Sequence, residues 1–272
     1  MYLPCWLSRQ YLFSYLRVRL ALSSCSSISA VIPLVSLPSS PQPFIHTTPA
    51  EAVSQLTHRS VVIGDRTFKM TYPGNADQLL DHPSTLSAFD ADEYMPYWAE
   101  LWPASQMLGK ALLTQSDELS ERLEPGATVL EIGCGVGLSG VVALSLGYRV
   151  IFSDYDETAV EFAARNACAN GFDNFERLPL DWRSPPDFQV SLLLAADAIY
   201  EERNIAPLVA FIQKVLLPEG ICLMSDPDRS TKGGFCYALK QAGLKVEKQK
   251  AAASEPNGRV VKGTVYRIWR SH

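Results

Sequence analysis

The ten-residue stretch EIGCGVGLSG, Glu131–Gly140, decides the fold that this sequence predicts. It contains two overlapping glycine patterns. Gly135, Gly137 and Gly140 form G-x-G-x-x-G, whereas Glu131 followed by Gly133, Gly135 and Gly137 forms E-x-G-x-G-x-G. A short apolar strand precedes the glycines and a helix of small residues follows them, so they occupy a strand-to-helix turn. Because glycine permits positive φ and close approach of a ligand to the backbone, this turn is a candidate binding loop.

The alternation of strand, turn and helix continues after this loop. Strands are predicted at "RVIFSDYD", "FERLPLDW", "FQVSLLLAAD" and "ICLMSD", and the chain closes with two more, "LKVEKQKA" and "KGTVYRIWR". Repeated strand–helix units predict a mostly parallel sheet with helices on both faces, and two successive strands predict an antiparallel hairpin. The prediction is therefore an α/β fold with a seven-stranded sheet, its core at residues 127–270.

An extension precedes this core. The stretch "HRSVVIGDRTFKMTYP" alternates apolar and polar residues around Gly64-Asp65, which predicts a small β-hairpin at residues 59–72. A loop rich in Asp, Pro and Asn follows, and then a helix that begins at Pro103. Residues 51–272 are accordingly predicted to form one domain.

Residues 1–50 differ from the rest of the chain. They contain Arg9, Arg17 and Arg19, many serines and no acidic residue, a composition typical of an organellar transit peptide and compatible with a signal sequence. A disordered leader or a start codon assigned too far upstream gives the same composition. A transit peptide would place the protein in a mitochondrion or plastid, and a spurious leader would place it in the cytoplasm.

Charge and cysteine content exclude several classes of function. Residues 51–272 carry 21 basic and 29 acidic groups, a net charge of −8. General binders of nucleic acid or anionic membranes need a basic face, so neither partner is predicted. The six cysteines form no C-x-x-C pair and no zinc spacing with histidine, so no metal site is predicted and the core is typical of a reducing compartment.

The two glycine patterns imply different ligands. A dinucleotide loop places a pyrophosphate at the helix N-terminus, whereas S-adenosylmethionine (SAM) has no phosphate and carries an ammonium group and a positive sulfur. The carboxylate of Glu131 at the end of the first strand suits SAM and would be unfavourable beside a pyrophosphate. Asp154 ends the next strand and can accept hydrogen bonds from ribose hydroxyls in either case. The antiparallel end of the chain also favours SAM, because a dinucleotide fold usually continues with parallel strands.

Five further motifs make the likeness specific. With "YWAELWPAS", "VLEIGCGVG", "FSDYD", "LDW" and "AADAIY", residues 59–270 resemble a class I SAM-dependent methyltransferase with a Rossmann-like fold. Within that class they resemble the seven-β-strand protein-lysine methyltransferase family. The later "SDPDRS" is similar to an Asp-Pro-x-Arg motif of the branch that methylates the electron-transfer flavoprotein β-subunit.

The resemblance assigns roles to individual residues. It implies that SAM contacts the loop, the ends of the following strands and one tryptophan ahead of the fold: Trp102, Glu131, Gly133, Cys134, Gly135, Gly137, Asp154, Asp181, Trp182 and Ala196. The alternative role of Glu131 is to hold the loop. The alternative role of Asp154 is to cap the next helix, although Asp156 could cap that helix instead. Trp98 is predicted to pack in the core.

The D-x-x-Y motif supplies the catalytic candidates, Asp197 and Tyr200. Methyl transfer is an in-line displacement that positioning accelerates, and the two side chains could orient a neutral lysine amine; the alternative for Asp197 is a helix cap. Asp226, Asp228 and Arg229 follow the fifth strand, where the resemblance implies substrate contacts by Asp226 and Arg229; the alternative is an internal Asp–Arg pair that holds this loop.

The function predicted is SAM-dependent N-methylation of a lysine on a protein substrate by a monomeric enzyme. Transfer to a small, nicotinamide-like nitrogen compound is the second hypothesis. A methyltransferase-like fold that binds a partner without catalysis is the third, and a nicotinamide-dependent dehydrogenase is the fourth.

Overall fold

A computed structural model of the chain describes residues 45–271. Most of the predicted leader, including Cys5 and Cys25, lies outside the described residues, and the 1–50 boundary stays a prediction. Residues 46–48 contact the domain, since His46 forms a parallel bridge with Asp156 and the Thr48 hydroxyl donates to the Asp156 carboxylate at 2.6 Å.

The N-terminal extension begins with the predicted hairpin. Strands β1 (Leu56–Ile63) and β2 (Arg66–Pro73) pair antiparallel across the Gly64 turn. The next segment differs from the predicted loop, because it contains helices α1 (Ala76–Leu80) and α2 (Pro83–Asp92). Pro83 occupies the first turn of α2, where a missing N–H costs nothing, and the imidazole of His82 accepts from the Ser84 amide at 3.3 Å.

The core is the predicted α/β domain. Its strands are β3 (Thr128–Ile132), β4 (Arg149–Asp154), β5 (Phe175–Pro179), β6 (Val190–Ala196), β7 (Leu216–Asp226), β8 (Leu244–Ser254) and β9 (Val260–Arg270). Its helices are α3 (Pro103–Thr114), α4 (Ser116–Arg122), α5 (Leu138–Ser145), α6 (Glu157–Ala169), α7 (Ile205–Val215) and α8 (Lys232–Gln241). Short 3-10 turns lie at Ala50–Ala52, Tyr97–Ala99 and Glu202–Asn204.

The seven strands form one sheet in the order β5-β4-β3-β6-β7-β9-β8. All neighbours are parallel except β9, which is antiparallel to both β7 and β8. This arrangement confirms the predicted parallel sheet and its C-terminal antiparallel hairpin. β9 lies between β7 and β8, so the hairpin joins the rest of the sheet through its second strand.

Apolar side chains fill both faces of the sheet. On one face, residues of α3, α5 and α6 such as Leu108, Val141 and Val160 pack on the sheet. On the other face, Phe211 of α7 and Phe235 of α8 do the same. Within residues 45–271, no helix has the length and apolar character needed to span a membrane.

The described cysteines are all free thiols. Cys134 and Cys222 are buried, as expected for small apolar residues, but Cys168 is exposed near the end of α6.

Candidate functional site

The candidate site lies at the carboxyl edge of the parallel strands. The strand order reverses between β3 and β6, because the chain moves outward from β3 to β5 and then returns to pair β6 with β3 on its other side. In open α/β sheets such a switch point opens a crevice beyond the strand ends. The turns after β3, β4, β5, β6 and β7 all meet there, and these turns contain nearly every residue that the sequence analysis singled out.

The glycine loop after β3 forms the floor of this crevice. Gly133, Gly135 and Gly137 have φ of 56°, 51° and 82°, a region that residues with a Cβ rarely adopt. The Cys134 amide donates to the Ser153 carbonyl at 2.9 Å, which ties the loop to the end of β4. The alternating positive φ values expose a backbone surface without side chains, and this surface could contact a ligand closely.

Asp154 lies directly beside the loop. Its Oδ2 accepts from the Gly135 amide at 2.9 Å and its Oδ1 accepts from the Asp156 amide at 3.1 Å. Burial raises the pKa of Asp154 to about 6. The cap of α6 is Asp156, whose carboxylate accepts from the Thr158 amide at 2.7 Å. Asp154 is therefore not the helix cap, and its carboxylate faces the loop where a ribose is expected.

Glu131 holds the first turn of α5. Its side chain is 1% exposed, and Oε2 accepts from the Gly140 amide at 3.0 Å. Burial raises the pKa of Glu131 to about 8, so the carboxyl group is a weak attractor of an ammonium group at neutral pH. The observed contacts are those of the loop-holding alternative, and direct contact with a cofactor stays a prediction.

Gly140, the third glycine of G-x-G-x-x-G, has a packing role. A Cβ at this position would overlap the ring of Phe152 and approach Oε2 of Glu131 to 2.5 Å. The helix can lie this close to the sheet only with glycine here. Since this packing requirement is independent of the ligand, Gly140 does not distinguish a dinucleotide from SAM.

The turn after β5 places Trp182 over the glycine loop. A Cβ on Gly133 would lie 3.5 Å from Cζ3 of the Trp182 ring. The preceding Asp181 is buried, and both of its oxygens accept from Nε of Arg183 at 2.9 Å. Trp182 is thus in place to stack on a ligand held by the loop, whereas the Asp181 carboxylate is already bonded to Arg183.

Arg183 also reaches the N-terminal extension. Its terminal nitrogens donate to the Asp92 carboxylate at 2.9 and 2.8 Å, and its guanidinium lies 5.2 Å from the centre of the Tyr155 ring. The sequence analysis did not select Arg183 or Asp92. The signal in the sequence was a basic residue directly after Asp181 and Trp182, in the turn that follows β5.

The segment 97–102 joins the two halves of the site. The Trp98 carbonyl would lie 3.4 Å from a Cβ on Gly135, and the ring itself is buried with its Nε1 donating to Asp156 at 3.1 Å. Trp102 is the N-cap residue directly before α3 and donates from Nε1 to the Tyr97 carbonyl at 2.6 Å. The Tyr97 ring packs edge-on against Tyr200, with centroids 5.3 Å apart. Trp98 is a core residue as predicted, and Tyr97 is a site residue that the sequence analysis missed.

Asp197 and Tyr200 follow β6 at the carboxyl edge. Ala196 ends the strand, and Asp197 has φ of 56°, an unfavourable value for a residue other than glycine. Its amide donates to the Ser225 carbonyl at 2.8 Å, which fixes this conformation. Strained backbone of this kind is concentrated at functional sites. Burial raises the pKa of Tyr200, so its hydroxyl stays neutral at physiological pH.

Arg229 pairs with Asp197. Its Nε donates to Oδ1 at 2.6 Å and its terminal nitrogen donates to Oδ2 at 2.7 Å, so both carboxylate oxygens are engaged. Asp226 has no exposed surface, and its Oδ1 accepts from the Arg229 amide at 2.8 Å. The internal ion pair is therefore real, but its acid is Asp197 and not Asp226. Contact of Asp226 or Arg229 with a substrate stays a prediction.

No metal site accompanies this arrangement in the described part of the chain. Among residues 45–271, no group of three or more His, Cys, Asp or Glu side chains could hold a metal ion.

The fold and the site together define a class of protein. A glycine loop without side chains, an acid at the end of the second strand, an aromatic ring over the loop and an antiparallel β9 beside β7 fit SAM and its fold. The protein is a class I SAM-dependent methyltransferase by these criteria. Gly133, Gly135, Asp154 and Trp182 are the residues that would hold the cofactor.

The comparisons with known proteins identify the family. The family model described as lysine methyltransferase matches residues 89–241, more than half of the chain. The chain belongs to the lysine methyltransferase family.

Two groups of relatives share part of this sequence. The electron transfer flavoprotein beta subunit lysine methyltransferase of Rattus norvegicus is 28% identical over 141 residues, which cover 51% of this chain and 53% of the relative. The ribosomal protein L11 methyltransferase of Aeromonas hydrophila is 31% identical over 126 residues, which cover 45% of this chain and 43% of the relative. The matches thus span about half the length of these curated relatives.

Solved structures confirm the fold. A ribosomal protein L11 methylase from Lactobacillus delbrueckii subsp. bulgaricus superposes with a TM-score of 0.50 at 19% identity, over 62% of this chain and 79% of that protein. A protein from Pyrococcus horikoshii, suggested to be an RNA methyltransferase, gives 0.53 at 16% identity, over 64% and 90% of the two chains. At these identities the similarity describes the architecture and not the acceptor.

Proposed function

We propose that this protein transfers a methyl group from SAM to the side chain of a lysine on a protein substrate. The observation that carries the proposal is the turn after β6. There the strained Asp197 and the Tyr97–Tyr200 ring pair lie at the same edge as the glycine loop, in a member of the lysine methyltransferase family. Both relatives described above have protein acceptors in their names, which supports a protein substrate over a small molecule.

The aromatic pair suits the aliphatic part of a lysine. Tyr97 and Tyr200 meet edge to face, and burial raises the pKa of both hydroxyls, so the rings form a neutral, largely apolar wall. A lysine must lose its proton before it can accept a methyl group, and its unperturbed pKa is about 10.4. An apolar surrounding disfavours the ammonium form and lowers that pKa. The hydroxyl of Tyr200 could then orient the neutral amine.

Asp197 is better suited to orientation than to proton removal. Arg229 engages both carboxylate oxygens, so the pair presents little net charge to a neighbouring amine. The bidentate geometry fixes the carboxylate plane, and a fixed carboxylate can accept one further hydrogen bond on the remaining lone pairs. SAM supplies an electrophilic methyl group on a sulfonium, so the protein needs to position the amine in line with it and exclude water.

A direct assay tests this function. The full chain is incubated with SAM carrying a tritiated methyl group and with candidate acceptors, including electron-transfer flavoprotein β-subunit and ribosomal protein L11. Mass spectrometry then locates the modified residue. The expected result is methylation of a lysine, reduced about 100-fold or more in Tyr200→Ala, which loses an orienting group and the aromatic wall.

Calorimetry with S-adenosylhomocysteine serves as the control, because a Tyr200→Ala protein that still binds this product has kept its fold and loop. Methylation of a nicotinamide-like compound with no transfer to any lysine would contradict the proposal. Binding of NADH in place of S-adenosylhomocysteine would contradict the whole class assignment.

A further inference from the structure

The distribution of charge along the chain is strongly uneven. Residues 51–227 carry 11 basic and 26 acidic groups, whereas residues 228–272 carry 10 basic and 3 acidic groups. The net charge of −8 over the domain therefore hides segments of −15 and +7. A segregation of this size creates a field that can orient a charged macromolecule before contact.

Three lysines of the basic segment lie on one face of the β8–β9 pair, and a fourth lies at the start of α8, beside that face. We call these four residues the lysine face: Lys232, Lys248, Lys250 and Lys262. In the β8–β9 pair, Lys248 is opposite Tyr266, Lys250 is opposite Thr264 and Lys262 is opposite Ala252. Residues that alternate along a strand, and residues directly opposite on its partner, share one face. Lys232 begins α8, which packs on that same face through Phe235 against Tyr266.

The lysine face is exposed, and few acidic side chains lie close enough to neutralise its positive charge. All four side chains are exposed, and Lys250 is 81% exposed. The acid of this face is Asp228, which lies 3.3 Å from Nζ of Lys250 and 3.7 Å from Nζ of Lys232. Within residues 45–271, no carboxylate lies within ion-pair distance of Lys248 or Lys262.

The opposite face of the same hairpin is different. There Arg267, only 15% exposed, forms an ion pair of 2.7 Å with Glu118 of α4. Glu247 lies directly opposite Arg267 on the neighbouring strand. Arg267 on that face thus has acidic neighbours, whereas Lys248 and Lys262 of the lysine face have none within ion-pair distance among the described residues.

Protection of the sheet edge does not explain the lysine face. Exposed lysines on an edge strand discourage pairing with other sheets, and β8 is the edge strand. Lys262, however, belongs to the interior strand β9, and Lys232 belongs to a helix. A function in edge protection would not need either of them.

The lysine face adjoins the candidate site. Thr264 of β9 is paired with Lys250 of β8 and, on its other side, with Asp226 at the end of β7. Lys250 therefore lies two strand spacings, about 10 Å, from the end of β7. The loop that begins there carries Arg229, the partner of Asp197. A protein that presents a lysine to Asp197 and Tyr200 would therefore cover the lysine face as well.

We propose that the lysine face binds an acidic segment of the protein substrate beside the lysine that is methylated. This inference rests on the proposed function and specifies its substrate class: a lysine with aspartate or glutamate nearby on the side that meets β8 and α8. The acidic remainder of the enzyme would attract the target lysine and repel the acidic segment, which fixes the direction of docking.

Two synthetic peptides of about twelve residues test the proposal. One has a central lysine with six glutamates on one side, and the other has glutamines in their place. Binding of each fluorescent peptide to the full chain is measured by anisotropy with S-adenosylhomocysteine present, in about 50 mM salt. The wild-type chain is expected to bind the acidic peptide at least tenfold more tightly, and this preference is expected to fall as salt shortens the range of the charges.

Charge reversal locates the binding. Lys248→Glu/Lys262→Glu changes two lysines that have no internal ion pair, and it should reduce the preference for the acidic peptide roughly tenfold. The matched control Lys69→Glu/Lys245→Glu makes the same change in net charge on β2 and on the opposite face of β8. It should retain the preference. Equal binding of the two peptides by the wild-type chain, or an equal loss in both variants, would overturn the proposal.

The methylation assay separates this inference from the proposed function. If the wild-type chain methylates lysines of protein acceptors without any preference for acidic surroundings, the function holds and the acidic partner is wrong. If no lysine is methylated, the function fails whatever the peptides do. Tighter binding of poly(U) RNA than of the acidic peptide, lost in Lys248→Glu/Lys262→Glu, would assign the face to nucleic acid and also overturn the proposal.

Discussion

At the scale of single residues, the candidate site is built from carboxylates whose surroundings differ. Glu131 and Asp154 are both close to the glycine loop, yet one supports a helix start and the other faces the crevice. The sequence analysis weighed these roles correctly as alternatives, because a carboxylate at a strand end is compatible with both. The outcome depends on side-chain direction and burial, which sequence spacing does not specify.

Asp154 should make cofactor binding pH-dependent. Its ionised form accepts hydrogen bonds from ribose hydroxyls most strongly, and burial raises its pKa to about 6. Affinity for S-adenosylhomocysteine should therefore fall as the pH drops from 7 through 6, by up to about tenfold per pH unit. Calorimetry between pH 5 and pH 8 measures this dependence.

Substitution isolates the contribution of this carboxylate. Asp154→Asn should lower the affinity by about 10- to 100-fold at pH 7.5 and flatten the profile between pH 5 and pH 7. Asp173→Asn, an exposed change before β5, should leave both affinity and profile unchanged. A sloping profile that persists in Asp154→Asn would show that another group titrates.

Gly137 should be intolerant of any side chain. Its φ is 82°, and a Cβ there would lie 2.6 Å from Cβ of Ala163 in α6. Gly147→Ala is the matched control, because Gly147 has φ of 90° with open space around it. The control should lose about 1 kcal/mol from backbone strain, and Gly137→Ala should lose about 2 kcal/mol more from the clash. Urea unfolding measures both, and equal losses would contradict the steric role of the α6 contact.

At the scale of elements, the site depends on turns that belong to neighbouring strands. The Asp197–Arg229 pair links the turn after β6 to the turn after β7 across 32 positions of sequence. From the sequence, Arg229 was expected to pair, if at all, with an aspartate of its own loop, Asp226 or Asp228. The true partner follows from the adjacency of β6 and β7 in the sheet, which only the strand order reveals.

Breaking this pair should destabilise the protein through the charge left behind. Arg229→Met leaves Asp197 buried without its partner, which should cost about 2 kcal/mol, less than a fully buried pair because Arg229 is partly exposed. Asp197→Asn in the Arg229→Met background should recover part of that loss. A double-mutant cycle by urea unfolding measures the coupling, expected at about 1 kcal/mol or more. Additive losses would show that the pair contributes no interaction energy.

The strands and helices of the core could be predicted because each of them has a recognisable pattern within a short stretch of sequence. Continuous apolar runs and glycine-terminated helices appear directly in the sequence, and seven strands emerged at the expected places. Helices α1 and α2 did not, since residues 74–93 contain four Asp, one Asn and one Pro, residue types that usually favour turns. Their helical form depends on capping by His82 and on contacts with the rest of the extension.

At the scale of the whole molecule, the segment before the first hairpin is part of the domain. The Asp156 carboxylate is fully buried and accepts from Thr48 Oγ1, Trp98 Nε1, the Tyr94 hydroxyl and the Thr158 amide. Thr48 thus completes a polar cluster between the extension and α6. Composition did not reveal this contact, because residues 45–50 share the acid-free character of the preceding leader.

Truncation should show this contribution directly. A chain that begins at residue 51 leaves the Asp156 cluster without Thr48, whereas a chain that begins at residue 45 keeps it. The shorter chain should be less stable by about 1–3 kcal/mol, the usual cost of a buried acceptor that loses a donor. Thermal unfolding of the two chains side by side measures the difference. Identical midpoints would show that solvent replaces Thr48 without cost.

The position of β9 has a consequence for the order in which the molecule can assemble. Residues 244–254 leave the ribosome before residues 260–270, but their place in the sheet exists only after β9 has docked on β7. For that interval β8 is a strand of eleven residues without a neighbour, the kind of segment that associates with other nascent chains. Its three lysines, Lys245, Lys248 and Lys250, give the waiting strand a charge that keeps such chains apart. Lys248 and Lys250, which we propose to bind the substrate in the finished enzyme, would thus already be useful during its synthesis.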